Sequence, residues 1–184
     1  MPTKSHSFRS AGLLIALTPV LALLPASGAS GGGGVNPTGE GAGSETVPGS
    51  KAKLVKGRAI APANAPRAVQ RVIAAANKIR NKPYKYGGGH SRWKDRGYDC
   101  SGAVSYALRG AKLVSSPLDS SGLARWGKKG KGKWITVYGA SSHAYMVVAG
   151  LRFDTSMVSG NGPGWSKSMR STPESYKARH TRRL

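Results

Sequence analysis

Cys100 is the side chain of this sequence whose type and surroundings point to nucleophilic chemistry. It is the only cysteine among 184 residues. Apolar residues recur at helical spacing over 103–108, which predicts that the thiol lies at or just before a helix N-terminus. Unpaired N–H groups and the positive end of the helix dipole stabilise a thiolate there. We therefore expect a nucleophile rather than a buried, inert apolar side chain, the commoner state of a free cysteine.

Three consecutive glycines, Gly87 to Gly89, precede Cys100 within a basic and aromatic segment. Glycine lets the backbone bend sharply and pass close to a neighbouring segment, as the wall of a cleft often requires. The segment over residues 83–99 is therefore interpreted as one wall of a cleft beside the nucleophile.

A thiolate nucleophile needs a base that takes a proton and later returns it to the leaving group. Of the four histidines, His6 falls in an N-terminal segment that we expect to be removed, which leaves His90, His143 and His180. His143 opens the most apolar predicted strand, so its ring would be held at one end of a sheet. We expect His90 and His180 at the surface, with His180 in reserve as a base or an orienting residue.

Asp154 is the candidate for orienting that base. It follows His143 after a predicted turn at Gly150, and no other acid stands between residues 119 and 174. A carboxylate that accepts the ring N–H fixes the tautomer and favours the imidazolium partner of a thiolate. A hairpin at Gly150 would place Asp154 opposite a position near Met146, so the pairing with His143 is compatible with the register without being required by it. An ordinary strand-end carboxylate is the alternative.

The elements that must position these side chains are helices first and strands afterwards. Apolar periodicity predicts a helix over 66–80 with Asn64 as a candidate cap, and a second helix from Cys100 to 109 or 110. Ser120 or Ser121 is a candidate cap for a short helix.

Strand-forming residues bounded by glycine or serine dominate the second half. The predicted strands are 134–138, 143–149, 151–155 and 176–180. Residues 127–132 are interpreted as a mobile basic loop, and 157–171 as a long loop that holds Trp165. This order of elements predicts an α+β fold in which helices pack on one face of an antiparallel sheet.

The first 60 residues differ in composition from the predicted domain. Lys4 and Arg9 precede an apolar stretch and then small residues, so residues 1–30 are interpreted as a secretory signal peptide. The apolar stretch is short for a membrane span, and retention as an anchor is the alternative to cleavage. The composition of residues 31–60 predicts a flexible Gly-rich and basic linker. A single folded domain is then expected over 61–184, in a secreted protein.

The charge balance is strongly basic, with 29 Lys and Arg against 7 Asp and Glu and a formal net charge of +22. Such a field concentrates polyanions near the surface. A secreted chain meets anionic wall polymers or lipid head groups before it meets nucleic acid. The basic residues are not clustered with aromatic ones, so no stacking platform for bases is predicted. We expect anionic wall polymers as partners by charge, no nucleic acid, and a monomer.

The motifs PYKYGG at 83–88, DCSG at 99–102 and SHA at 142–144 resemble those of the NlpC-type cell-wall cysteine peptidases, a branch of the papain-like superfamily. The resemblance covers roughly residues 65–155 and implies an NlpC-type catalytic domain over 61–184. It differs in that Asp154 stands where the family often has histidine, and in the basic character of the segment after His90.

The resemblance implies a peptidoglycan endopeptidase that hydrolyses stem-peptide amide bonds, typically the bond between D-isoglutamate and the following diamino acid. It assigns the nucleophile to Cys100, the base to His143 and the orienting residue to Asp154. Among substrate-binding residues it implies Tyr86, beside the Cys100 N–H, and also Asp99 and Ser101, which would line the subsite for the N-terminal side of the peptide. Acyl transfer through a thioester requires no metal or other cofactor, and the protein would be associated with the cell wall.

Two other functions stay open at this point. One keeps the papain-like chemistry but changes the acceptor, as an amidase or acyltransferase does. The other is a non-catalytic basic protein that binds the cell wall by charge. Replacing Cys100 separates turnover from binding and so discriminates between hydrolysis and binding alone.

Overall fold

Two sheets and three helices make up the part of the chain that the computed structural model describes, residues 45–157, 160–171, 173–182 and 184. In chain order the elements are β1 (Thr46–Val47), β2 (Lys53–Val55), β3 (Arg58–Pro62), α1 (Arg67–Ile79), α2 (Cys100–Arg109), α3 (Ser120–Leu123), β4 (Lys128–Lys129), β5 (Ile135–Gly139), β6 (Ala144–Val148), β7 (Leu151–Met157), β8 (Gly160–Ser166) and β9 (Lys177–His180). A 3₁₀ turn at Pro173–Ser175 precedes β9.

The larger sheet has six strands in the order β4-β9-β5-β6-β7-β8, and every pairing in it is antiparallel. Helix α2 packs against β6 and β7, and α1 packs against α2. The core between these layers is apolar and fully buried, with Val104 and Leu108 from α2 and Val137, Met146 and Phe153 from the sheet. The predicted α+β fold, with helices on an antiparallel sheet, is confirmed.

The smaller sheet has the order β1-β3-β2 and lies within the range predicted as linker and the first residues after it. Ala59, Ile60 and Ala61 of β3 are buried, because α1 packs against this strand. The predicted signal peptide, residues 1–30, and residues 31–44 lie outside the described residues. The boundaries at 30 and 60 stay predictions.

Helix α1 forms where the apolar period predicted it. Its buried positions Val69, Val72, Ile73, Ala76 and Ile79 recur every three or four residues along one face. The predicted cap is wrong: Pro66 occupies the N-cap position with φ −52°, and no side chain caps the helix. Proline suits this end because the N–H that it lacks would have had no partner in the first turn.

Two strands form where loops were predicted. In β4, Lys128 and Lys129 pair with His180 and Arg179, so backbone hydrogen bonds form a strand whose side chains stay exposed. Strand β8 runs through the glycines of 160–166, and its Trp165 packs on Phe153 with ring centroids 4.9 Å apart. A Cβ atom on Gly162 would lie 2.0 Å from the Lys82 carbonyl oxygen. The glycine there serves close packing rather than a turn.

The side chain of Asn77 ties three elements together inside the protein. Its amide accepts from the Ala59 N–H at 3.1 Å and donates to the Ala59 carbonyl at 2.7 Å, which joins α1 to β3. The same amide oxygen accepts from Trp165 Nε1 at 3.0 Å, which joins α1 to β8. Asn77 is buried, so water cannot replace these bonds.

Replacing Asn77 by Ala removes all three hydrogen bonds and leaves buried polar groups of Ala59 and Trp165 unpaired. We expect the free energy of unfolding to fall by about 3 kcal/mol, measured by chemical denaturation. Lys78→Ala, at the next and exposed position of α1, is the control and should change stability little. Equal stability of the two variants would contradict this account of the packing.

Candidate active site

Cys100 is the first residue of α2, at the position that the sequence predicted. Asp99 is the N-cap, and its Oδ1 accepts from the Gly102 N–H at 2.7 Å. The cysteine is 8% exposed and lines a cavity of about 560 Å³. Because Cys100 borders this cavity, its thiol is accessible to a small group. Because Cys100 is also the first residue of a ten-residue helix, the thiol lies at the positive end of the helix dipole.

The glycine-rich segment lies directly against the start of this helix. The Gly88 carbonyl accepts from the Asp99 N–H at 3.2 Å, and a Cβ atom on Gly102 would lie only 2.0 Å from that carbonyl oxygen. Two glycines therefore face each other where the segment meets α2. The predicted cleft wall occupies this place, with Tyr84, Tyr86 and Gly87 lining the same cavity as Cys100.

His143 lies immediately before β6, and its ring is hydrogen-bonded to the Cys100 thiol. Nε2 of the ring lies 2.9 Å from Asp154 Oδ1. Nδ1 is then the ring nitrogen left for the sulfur. The backbone N–H of Ala144 also donates to the sulfur. The start of β6 thus brings two hydrogen-bonding groups to the nucleophile.

Asp154 projects from β7, and its side chain is completely buried. Its oxygens accept hydrogen bonds from His143, from the Ser156 N–H at 3.1 Å and from Arg170 Nε at 3.0 Å. Burial by itself raises the pKa of the carboxyl, but these hydrogen bonds outweigh burial and hold the pKa well below its usual range. Asp154 is therefore a carboxylate at neutral pH.

The protonation states of the base and the nucleophile follow from this carboxylate. Burial lowers the pKa of His143, but hydrogen bonds with Asp154 and Cys100 outweigh burial and raise the pKa to about 9. Burial raises the pKa of Cys100, whereas the hydrogen bonds from His143 and Ala144 lower it, and the net shift is downward. Both shifts favour the thiolate–imidazolium pair over the neutral thiol and imidazole.

Arg170 joins this group from the segment after β8, and nothing in the sequence pattern indicated it. Its Nη2 lies 2.8 Å from His143 Nε2, and its guanidinium also contacts Asp154 and the Ser156 hydroxyl. The guanidinium carbon lies 5.3 Å from the ring centroid of Tyr145, which helps to hold it in place. Arg170 donates to Nε2 only when that nitrogen is unprotonated, so it opposes protonation of the ring, whereas Asp154 favours it.

His90, expected to be a surface histidine, is partly exposed, and its ring is engaged by hydrogen bonds. Its Nε2 lies 3.0 Å from Asp99 Oδ1 and 3.2 Å from Ser101 Oγ, and its ring lines the cavity of Cys100. The bend through the glycines turns the segment back toward α2 and brings the imidazole to its N-cap. A local pattern could not reveal this, because the partners come from the next element.

The predicted substrate-binding residues all line this cavity, but they differ in what they present to it. Tyr86 is 91% exposed, so its ring is free to meet a ligand. Asp99 is buried, with Oδ1 bonded to Gly102, Ser101 and His90 and Oδ2 accepting from the Gly87 N–H at 3.1 Å. The carboxylate therefore organises the floor of the cavity.

His180, the reserve candidate, lies on β9 opposite Lys128. Its Nδ1 is 3.2 Å from the Gly130 carbonyl oxygen, so this ring is engaged by the β4 segment. The structure thus brings Cys100, His143 and Asp154 together and places His180 on a different pair of strands.

No family model matches the sequence, and no curated protein matches it either. Solved structures do match. The peptidoglycan hydrolase RipB of Mycobacterium tuberculosis is 22% identical over 66% of this chain and 68% of its own, with a TM-score of 0.48. A hypothetical invasion protein of the same organism is 22% identical over 61% of this chain, with a TM-score of 0.47, and this chain spans 62% of its length.

A third match, RipD of Mycobacterium tuberculosis, is described as a non-catalytic NlpC/p60 domain protein adapted to peptidoglycan binding. It is 21% identical over 62% of this chain and 98% of its own, with a TM-score of 0.45. Of these three structures, RipB is named as a peptidoglycan hydrolase and RipD as an NlpC/p60 domain protein. The NlpC/P60 domain, whose motifs the sequence resembles, is thus also found among the structures that this chain is similar to.

Arg170→Gln removes the positive charge that faces His143. We expect the pKa of His143 to rise above about 9, because a nearby cation and a donor to Nε2 both disfavour the imidazolium. NMR titration of the ring measures this, and alkylation rates report on Cys100 alone, since it is the only thiol. Arg170→Lys, which keeps the charge, should stay closer to wild type. An unchanged His143 pKa in Arg170→Gln would contradict this role.

Proposed function

We propose that this chain is a secreted, wall-associated cysteine peptidase that hydrolyses stem-peptide amide bonds of peptidoglycan. The observation that carries the proposal is a thiol at a helix start, hydrogen-bonded to an imidazole that a buried carboxylate holds in turn. In this arrangement Cys100 is the nucleophile, His143 the general base and acid, and Asp154 the orienting residue. The motif resemblance suggests the bond from D-isoglutamate to the following diamino acid.

The acylation half of the reaction follows from these roles. The Cys100 thiolate attacks the carbonyl carbon, and the carbonyl π electrons move to oxygen to form a tetrahedral oxyanion. N–H groups in the first turn of α2 lack helical partners and serve as donors to that oxyanion, with Tyr86 at the cavity wall as a further donor. The His143 imidazolium gives its proton to the leaving nitrogen, the C–N bond breaks, and a thioester with Cys100 remains.

Deacylation reverses the role of the base. Neutral His143 takes a proton from water, the resulting hydroxide adds to the thioester carbonyl, and collapse of the tetrahedral adduct breaks the C–S bond. The products are a carboxylic acid, which releases its proton to solvent and becomes a carboxylate, and the Cys100 thiolate, with the first proton left on His143. The ion pair is thereby restored without a metal or an external oxidant or reductant.

The remaining residues support the location and the substrate class of this proposal. The predicted signal peptide would deliver the chain outside the cytoplasm, and a net charge of +22 would retain it near anionic wall polymers. Tyr86, Asp99, Ser101 and His90 line a cavity large enough for a short peptide segment. Within the described ranges, none of the helices reaches the length and apolarity that a membrane crossing requires.

Cys100→Ala removes the nucleophile and should reduce the release of soluble fragments from purified peptidoglycan by at least about 10³-fold, since only binding and oxyanion donors remain. Mass analysis of the fragments released by wild type identifies the bond that is cut. Binding to sacculi should persist in Cys100→Ala, because the sulfur is not part of the charged surface.

Ser105→Ala, on the same helix but with its hydroxyl bonded to Leu118, serves as the matched control and should retain turnover. Wall binding by wild type without any release of fragments would overturn the peptidase proposal in favour of a non-catalytic wall-binding protein. Transfer of the acyl group to an added amine in preference to water would indicate an acyltransferase.

The pH dependence of hydrolysis follows from the shifted pKa values. Activity should fall at low pH as the Cys100 thiolate is protonated, with a midpoint below the ordinary thiol pKa. It should fall again at high pH as His143, with a pKa of about 9, loses the proton that the leaving nitrogen needs. Initial rates on a soluble muropeptide between pH 4 and 10 measure both limbs, and a flat profile would contradict the ion-pair mechanism.

A further inference from the structure

Two cavities outside the candidate active site have several basic side chains in their lining. One, of about 570 Å³, lies between α1, α2 and the segment after α2, and the other, of about 420 Å³, borders the glycine-rich segment. Lys94 lines both, so the two cavities are neighbours, and together they are called the basic groove here. Its basic residues are Lys78, Lys82, Lys85, Arg92, Lys94, Arg96, Arg109 and Lys112.

The charge of this groove is almost uncompensated. Asp95 is the one acid among the lining residues, and it is paired with Lys85 at 3.1 Å. Across the described residues, the other seven basic side chains of the groove form no ion pair. Like charges brought together around a concave surface repel one another, and an anionic ligand relieves that repulsion.

Two aromatic residues at the groove, Trp93 and Tyr106, already contact other side chains. The Arg109 guanidinium carbon lies 4.5 Å from the ring centroid of Trp93, and Tyr106 packs edge-on against Tyr98 with centroids 5.4 Å apart. A nucleic acid strand held by base stacking needs open aromatic faces along its path, and the exposed rings nearby, Tyr84 and Tyr86, line the cavity of Cys100 and not the groove.

The apolar side chains that line the groove, such as Tyr106 and Val114, are half-buried and do not project as membrane anchors do. The exposed large apolar residues of the described chain are Val55, Tyr84, Tyr86 and Met169, and none of them lines either basic cavity. A peripheral membrane site normally combines basic residues with such anchors. The ligand that suits the groove is therefore a hydrophilic polyanion.

We propose that the basic groove binds a linear polymer of phosphodiester groups, of the polyol-phosphate kind found in cell envelopes. Two adjoining cavities accept more than one phosphate along a chain, and the three arginines offer planar forks that match phosphate oxygens. The inference that this polymer comes from the cell wall rests on the proposed function.

Binding there holds the polymer beside the catalytic cavity. Tyr84 and Tyr86 line the cavity of Cys100, whereas Lys82 and Lys85, from the same short segment, line the basic groove. One segment thus contributes to both surfaces, and a wall polymer anchored in the groove positions the cleft next to the peptidoglycan to which the polymer is attached.

The test compares two variants of equal charge. The groove variant carries Lys78→Gln, Lys94→Gln, Arg109→Gln and Lys112→Gln, and the control carries Gln at Lys128, Lys129, Lys131 and Lys133, on and beside β4. Both lose four positive charges. The probe is synthetic poly(glycerol phosphate), with affinity measured by fluorescence anisotropy over a series of salt concentrations.

We expect the groove variant to bind at least about tenfold more weakly and to show a shallower salt dependence, since fewer counterions are released. The control should stay within about threefold of wild type. Equal losses in both variants would overturn the proposal in favour of diffuse charge. Equally tight binding of duplex DNA or anionic phospholipid vesicles, with the same loss in the groove variant, would also overturn it.

A single substitution guards against misfolding of the fourfold variant. Lys94→Glu reverses an exposed charge where the two cavities meet, and it should weaken polymer binding more than Lys131→Glu does. Equal effects of the two would count against the groove. These measurements need no turnover. If the protein binds the polymer in the groove but cleaves no peptidoglycan, the proposed function fails while this inference stands.

Discussion

A buried carboxylate, Asp154, is the constraint on which the candidate site depends. Its side chain is withdrawn from water, and an unpaired charge in that position would cost several kcal/mol. The surrounding groups must therefore supply donors and positive charge. His143, Arg170 and the Ser156 N–H do so. These contacts fix the orientation of the imidazole and raise its pKa. The other ring nitrogen is directed at the sulfur of Cys100.

The packing of α2 on the sheet fixes where the start of the helix meets β6. Val104 and Leu108 anchor α2 against the sheet, and Met146 and Phe153 anchor β6 and β7 on the other side. The close approach of Gly88 to Gly102 then seats the cavity wall on the helix start. Cys100 occupies the N-terminus of a packed helix, so its position is set by the same contacts that stabilise the fold.

The acidic residues of this chain are few, and three of them lie at the candidate site. Of its 7 acidic residues, Asp99 and Asp119 line the cavity of Cys100, and Asp154 lies beneath His143. The adjoining basic groove contains one acid, already paired. The two surfaces therefore differ in field as well as in shape.

The sequence by itself determined the elements whose side chains carry a repeating pattern. The apolar period set α1 and α2, the DCSG motif set the thiol at a helix start, and alternation set β5, β6 and the start of β7. Tertiary structure alone decided the pairing of Asp154 with His143, the arrival of Arg170, the inward turn of His90, and the strands β4 and β8. The physical reason is that backbone pairing and long-range hydrogen bonds leave no period in the chain: exposed lysines and close-packed glycines form strands only when a partner strand supplies the hydrogen bonds.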